Sequence, residues 1–399
     1  MKKKAIIIIG GGYLQINQIK WAKELGLHVI VTDKNENCLG KSFADEFKII
    51  DGTDTEKFFE LIDLVKIDYD FIGCYSGSDF GLITVSRISE KFGTFGCTVN
   101  SARLSLNKFS SKKIWQKNNI STPDGFTVSS IKDVIKIISK IGFPIILKPI
   151  DSSGSRGVNS VWNYDSLQSS FDESSQFSNE IIIEKIITGN HLDVNGVFLN
   201  NSFFKCGIFD RFFSVPPKHI PIWGCTTTLT VEQENTIYAI VEKAARLLGI
   251  TVGPVKADVI FNKNGPHLIE LTPRFHGDVS TSFILHHGMN INPIKCWFSF
   301  LKQDTTPQNY IKNSSSKIVC GWMGLFSNSN GILKSIDGVE CALSLDGIID
   351  VYVSKKKGDK LSLPNDNTSL CGFIWGKSTN MLELHKILQH ARSLIKFNI

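Results

Sequence analysis

The sequence lacks several features that would narrow its class. Its nine cysteines contain no C-x-x-C pair and are odd in number. That argues against a disulfide framework or a thiolate zinc site and favours free thiols in a reducing compartment. No stretch approaches the roughly 18–20 apolar residues that a membrane span needs. The opening Met1-Lys-Lys-Lys followed by Ala5–Ile9 imitates a signal peptide, but the apolar run of five residues ends in three glycines. It is too short for a signal core, so a cytoplasmic protein is expected. Charge of one sign is also scarce: 44 Lys+Arg against 38 Asp+Glu leave +6, spread thinly over 399 residues. That excess suits a small anionic ligand and is too diffuse for nucleic acid. Neither low hydrophobicity nor a repeat is present, which excludes disordered, fibrous and solenoid classes.

What is present begins with alternating strand and helix signals, which predict an α/β fold with an open parallel sheet over the first hundred residues. Ala5–Ile9 reads as a doubly buried strand, Gln15–Leu25 as a helix ended by Gly26, His28–Thr32 as a second strand. Thr53 and Glu56 have the spacing of a capping box, and Phe71–Tyr75 is a further strand candidate. A helix bearing Lys108, Lys112 and Lys113 follows, then a helix at Ile131–Ile141, a strand at Pro144–Pro149 and strand-like runs at Glu180–Ile187, Leu192–Leu199 and Ser202–Phe209. Glu232–Leu248 is an amphipathic helix, and the last ninety or so residues carry short strands and a final helix without a chemical motif. The polar stretch Gln303–Ser316 is the best linker candidate.

Three places carry chemistry. Gly10-Gly11-Gly12 after a buried strand invites a dinucleotide, with Asp33 for a ribose hydroxyl. However, Gln15 stands where the fingerprint wants its third glycine, so a ligand pocket without NAD, or a plain turn, remains open. Lys148 precedes the loop Ser152-Ser153-Gly154-Ser155-Arg156-Gly157, whose small residues can offer backbone N–H groups to phosphate; a flexible hairpin is the alternative. No Gly-Lys-Ser/Thr follows, so this is not a P-loop. The third place is the hairpin Val252–Phe261 and His267–Thr272 around Lys263-Asn264-Gly265. A three-residue loop centred on Asn264 sets Asp258 opposite Glu270 on one face, and two carboxylates so close call for a shared cation such as Mg²⁺ or for protonation of one of them; a solvated cross-strand acid pair is the plain alternative. A two-residue loop would put them on opposite faces. Arg274 follows nearby and suits a phosphate or an oxyanion; His276 and Asp278 are either neighbours of this site or turn residues.

In this order, Lys108, Lys148, Ser152–Gly157, Glu184–Ile187, Asp258, Glu270 and Arg274 resemble the ATP-grasp superfamily. Ile269-Glu-Leu-Thr-Pro-Arg-Phe-His-Gly277 is similar to its E-x-N-x-R metal element. Phe143-Pro-Ile-Ile-Leu-Lys-Pro149 looks like its second lysine and flap, and Glu184-Lys-Ile-Ile187 like its adenine-reading hinge. The resemblance covers about residues 1–300 and implies a Rossmann-like pre-ATP-grasp domain at 1–100 and an ATP-grasp domain at 101–305 with a mobile lid at about 120–185. A C-terminal α+β subdomain at 306–399 completes it, α+β overall and loosely like biotin-carboxylase and L-amino-acid-ligase members. It further implies ATP with Mg²⁺ or Mn²⁺, and a carboxylate activated as an acylphosphate before an amine displaces phosphate. By this likeness Lys108 and Lys148 hold phosphates, Glu184, Lys185 and Ile187 the adenine, and His191 or Asp193 the ribose. Asp258 and Glu270 take the metal, Arg274 the acylphosphate, and Gly11, Gly12, Tyr13, Ser76, Asp79, Arg211 and His276 fall on the substrate side. Thr272 replaces the usual Asn ligand, and Ser214–Thr228 has no substrate-reading carboxylate, offering Lys218, His219 and Trp223 instead. Expected partners are a small carboxylate and an amine, with no nucleic acid or membrane; a homodimer stays open. A carboxylase or phosphotransferase on the same nucleotide site, an NAD-dependent oxidoreductase and a non-catalytic nucleotide-binding module are the rivals.

Overall fold

The computed structural model describes residues 2–150, 154–312 and 318–399. Its first sheet is parallel, in the order Glu46–Ile49, His28–Asp33, Lys4–Ile9, Asp70–Ser76. The isoleucine run is explained by burial on both faces: Ile6 and Ile8 pack with Trp21, Val29 and Phe298, while Ile7 and Ile9 pack with Phe58 and Ile62. The flanking helices are Ile16–Glu24, Thr55–Asp68 and Leu82–Phe92. Asp54, rather than Thr53, caps the second of these by accepting from the Lys57 N–H, so the expected capping box is not formed.

Lys148 lies in a small antiparallel sheet, ordered Gly125–Val128, Ile181–Lys185, Ile145–Pro149, Asn159–Val161. Helices Ile131–Ile141 and Leu167–Ser175 cover one face and share its core of Val134, Ile138, Leu147, Phe171 and Ile183. Ile131–Ile141 coincides with the helix read from sequence, capped by Ser130 and ended at Gly142.

A long antiparallel sheet forms the floor, in the order Gly265–Thr272, Gly253–Asn262, Asn190–Leu199, Ser202–Phe213, Pro221–Thr226, Val319–Phe326, Leu370–Ser378, Ile348–Val353. The C-terminal strands therefore continue the central sheet, joined through Trp223↔Met323 and neighbouring pairs. The helix Val231–Leu247, with a full capping box at Thr230 and Gln233, packs beneath the acid-bearing strands. No helix among the described residues is long and apolar enough to cross a membrane, and the nine cysteines are free thiols.

Candidate functional site

The acid pair forms, by a different route from the one the sequence suggests. Asn262 pairs with Gly265, so the hairpin loop has two residues, Lys263 and Asn264. Taken alone, this loop would aim the acids apart. A bulge compensates: Asp258 pairs with Glu270 but Val259 with Leu268, leaving Ile269 as the extra residue. One inserted residue reverses the alternation and returns Glu270 to the face of Asp258. On its other side Asp258 pairs with Asp193, so three carboxylates run in a row across three strands.

Cations flank that row. Lys256, two residues before Asp258 and so on the same face, has its Nζ 3.3 Å from both Asp258 oxygens and 2.9 Å from Glu270 Oε1. Lys108 Nζ lies 3.6 Å from Glu270 Oε2. Arg211 Nη2 contacts Asp193 at 2.5 Å and Asp278 at 3.0 Å. His276 Nε2 stands 3.1 Å from Asp258 and 3.4 Å from Asp193, while its Nδ1 and backbone N–H both meet Asn195 Oδ1. Burial alone would raise the Asp258 and Glu270 carboxyls; Lys256 leads the cations that outweigh it, keeping Asp258 well below the usual range and Glu270 at about 2. Burial works against a charged His276, but Asp193 and Asp258 prevail and raise its pKa. Thr272 faces Lys256 across the hairpin, and its Oγ1 is buried without a hydrogen-bond partner.

Opposite this floor, the small antiparallel sheet presents Lys148, whose Nζ donates to Glu184 Oε2 at 2.7 Å. Gly154, Ser155, Lys185, Ile187 and His191 line the space between that sheet and the floor; Arg156 and Gly157 are not among the residues that border it. Ser152 and Ser153 lie outside the described residues. Burial, with His219 nearby, pushes His191 down to about 4, so its ring is neutral at physiological pH. Arg274 is clamped by Asp79 through Nε at 2.6 Å and Nη2 at 3.0 Å, which ties the first domain to the floor.

Several sequence candidates go elsewhere. The Gly11 N–H bonds Asp33, and Gly11 is pressed against Gly40, whose N–H bonds its carbonyl at 2.6 Å. A Cβ on Gly11 would stand 2.4 Å from Cys38 Sγ. Gly11 and Gly12 do not line the cleft, and Asp33 is occupied by the turn. Tyr13 stacks on Tyr352 with ring centres 3.5 Å apart, docking the C-terminal region on the first domain. Ser76 closes its own turn through Ser78. Lys218 is tied to the small antiparallel sheet and its helix through Asn159 and Glu173, and Trp223 is stacked between Phe212 and His385; His219, held by Ser160, does border the cleft, beside His191.

Sequence reading passed over Lys256 and Asn367, and noted Lys112 on its basic helix without giving it a role. Strand alternation puts Lys256 beside Asp258, so that one was legible. Asn367 reaches the cleft from the C-terminal region, which no local signal announces.

The cleft that results is about 480 Å³, within the range of small-molecule sites. Lys108, Lys148, Asp258, Glu270, Arg274, Asp79, Arg211, His276 and Asp278 all border it. Residues 106–278 match the family model of an ATP-grasp domain, and residues 324–399 that of L-amino acid ligase C-terminal domain 2. An uncharacterized protein of Sinorhizobium fredii is 21% identical over all of this chain and 84% of its own length. D-alanine–D-alanine ligase of Nitrosomonas eutropha is 27% identical over 44% of this chain, an alignment spanning 58% of that enzyme. Among solved structures, L-amino acid ligase from Bacillus licheniformis superposes with a TM-score of 0.82 at 18% identity, over 100% of this chain and 99% of that one. The biotin carboxylase domain of Hydrogenobacter thermophilus 2-oxoglutarate carboxylase, solved with MgADP and bicarbonate, gives 0.75 at 17% identity, over 100% and 91%. Residues 106–278 therefore carry an ATP-grasp domain, and the chain as a whole has the fold that these ligases and carboxylases share.

Proposed function

We propose that the protein is an ATP-dependent ligase that activates a small carboxylate as an acylphosphate and couples it to an amine, releasing ADP and phosphate. The observation that supports this best is the meeting of Lys108 and Lys148 with Asp258, Glu270 and Arg274 around one cleft. The donor set fits a hard divalent cation: paired carboxylates already share a cation, the Lys256 ammonium, and the Thr272 hydroxyl is buried with no partner. Asp258 and Glu270 would hold Mg²⁺ or Mn²⁺, with Thr272 beside them. When bound, that ion neutralises charge on the transferring phosphoryl group.

The chain's own residues do the rest. Lys148 and Lys108 hold phosphate oxygens, and Glu184, Lys185 and Ile187 form the edge against adenine. His191 and Asp193 lie toward the ribose. Asp79 takes two of the five Arg274 donors and the Phe275 carbonyl a third, leaving one N–H on each of Nη1 and Nη2 for the acylphosphate oxygens. The loop around Gly154 and Ser155 excludes water, which would otherwise hydrolyse the acylphosphate. Asp79, Arg211, His276 and Asp278 bound the acceptor side; Gly11, Gly12, Tyr13 and Ser76 take no part in it.

The test is ADP release with magnesium across a panel of amino acids and small carboxylates, with and without amines and bicarbonate. Turnover that needs a carboxylate and an amine is expected. Turnover dependent on bicarbonate alone would replace the ligase with a carboxylase, and ADP release with no acceptor requirement would remove the coupling step.

A further inference from the structure

Helix Lys108–Lys117 places Lys108 and Lys112 one turn apart on the same face. Lys108 reaches the acid row, and Lys112 reaches the lid. Lys112 is 1% exposed, with Nζ 3.3 Å from Glu184 Oε1 and 3.1 Å from Thr122 Oγ1. Glu184 is 2% exposed, and its other oxygen takes the Lys148 ammonium. Two cations therefore share one carboxylate in the interior, leaving one positive charge in surplus. Only one of the two can serve a ligand: Lys148 borders the cleft, and Lys112 does not. Once Lys148 turns toward a phosphate, Glu184 keeps its charge at a buried position on the cleft edge, and Lys112 is the cation left to match it. An uncompensated buried charge is strongly unfavourable.

We propose that Lys112 is a positioning residue: it neutralises Glu184 so that Lys148 can leave that carboxylate and hold nucleotide phosphate. This rests on the nucleotide reading of the cleft. Burial lowers the Lys112 pKa to about 8 against the pull of Glu184, which still leaves the ammonium charged at neutral pH. Thr122 orients that ammonium without adding charge.

Calorimetric binding of MgADP and of magnesium tripolyphosphate, which lacks the base, tests this in wild type, Lys112→Met, Glu184→Gln and the double variant. With Lys112 removed, Lys148 is the last partner of a buried carboxylate and stays there, so affinity for both probes should fall about tenfold or more. In the Glu184→Gln background there is no charge to neutralise, and the same substitution should change tripolyphosphate affinity less than about twofold. Lys112→Arg should retain most of the binding. Equal losses in both backgrounds would make Lys112 merely structural and overturn the proposal. If Lys112→Met does not fold, Glu184→Gln alone decides: freeing Lys148 should leave tripolyphosphate binding at least as tight, and weaker binding overturns it. Wild type that binds neither probe removes the nucleotide reading itself, whereas binding with additive losses removes only the role of Lys112.

Discussion

Two regions advertise a ligand site in the sequence, and the structure treats them differently. The triple glycine of the first strand–helix turn looks open, yet it is filled by its own surroundings. Asp33 accepts the Gly11 N–H, Gly40 lies against the Gly11 backbone, and Cys38 takes the space where a side chain would go. The acid row of the floor looks closed, since each carboxylate has a cation beside it, yet it borders the cleft. A glycine turn can be small because its neighbours need the room. A charged row along the floor of a cleft stays accessible because its counter-ions are side chains that can move aside.

The sharpest way to break this contrast is at the acid row. Glu270→Ala should abolish ADP release, a loss of about a thousandfold or more if the metal stabilises the transferring phosphoryl group; near-normal turnover would take the metal out of the mechanism. Arg274→Ala should lower kcat about a hundredfold while KM for ATP moves little, as for a donor engaged in the transition state. Equal losses in both would make it a binding residue. Lys256→Met should leave Asp258 and Glu270 without their shared ammonium and lower stability by about 2 kcal/mol in EDTA, with Mg²⁺ recovering much of it. Thermal melts with and without the ion check this, and a melt indifferent to Mg²⁺ would argue against a cation between the two acids. At the glycine turn the expected effect is on folding alone. Gly11→Ala should destabilise by about 1–3 kcal/mol through overpacking against Cys38. Its KM and kcat should stay at wild-type values in the folded fraction, and NADH should give no spectral change. A selective rise in KM for one substrate would return the turn to the site.

Much of the fold was legible because its signals are local. Ile131–Ile141 carries both cap and stop in its own residues, and the isoleucine run declares a doubly buried strand. The site was legible in part. Strand alternation brings Asp258 and Glu270 to notice, but the loop length read from Asn264 was one residue too long, and the pair is kept together by a bulge at Ile269. A bulge is a property of how two strands pair and not of either strand's own alternation, so the turn residues do not announce it. Asn367 and the Tyr13–Tyr352 stack were invisible because both depend on contacts between segments far apart in sequence, which no local pattern records.

By itself, the sequence settled which residue types are available and in what order: lysines, a small-residue loop, two acids on paired strands and an arginine after them. Tertiary structure decided which of them meet. It tied the Arg274 fork to Asp79, put Lys256 between the acids, and gave Glu184 two lysines rather than one. Periodicity governs where a side chain points along its own element, whereas charge pairing depends on distances between elements, and those are fixed only when the cores beneath them pack.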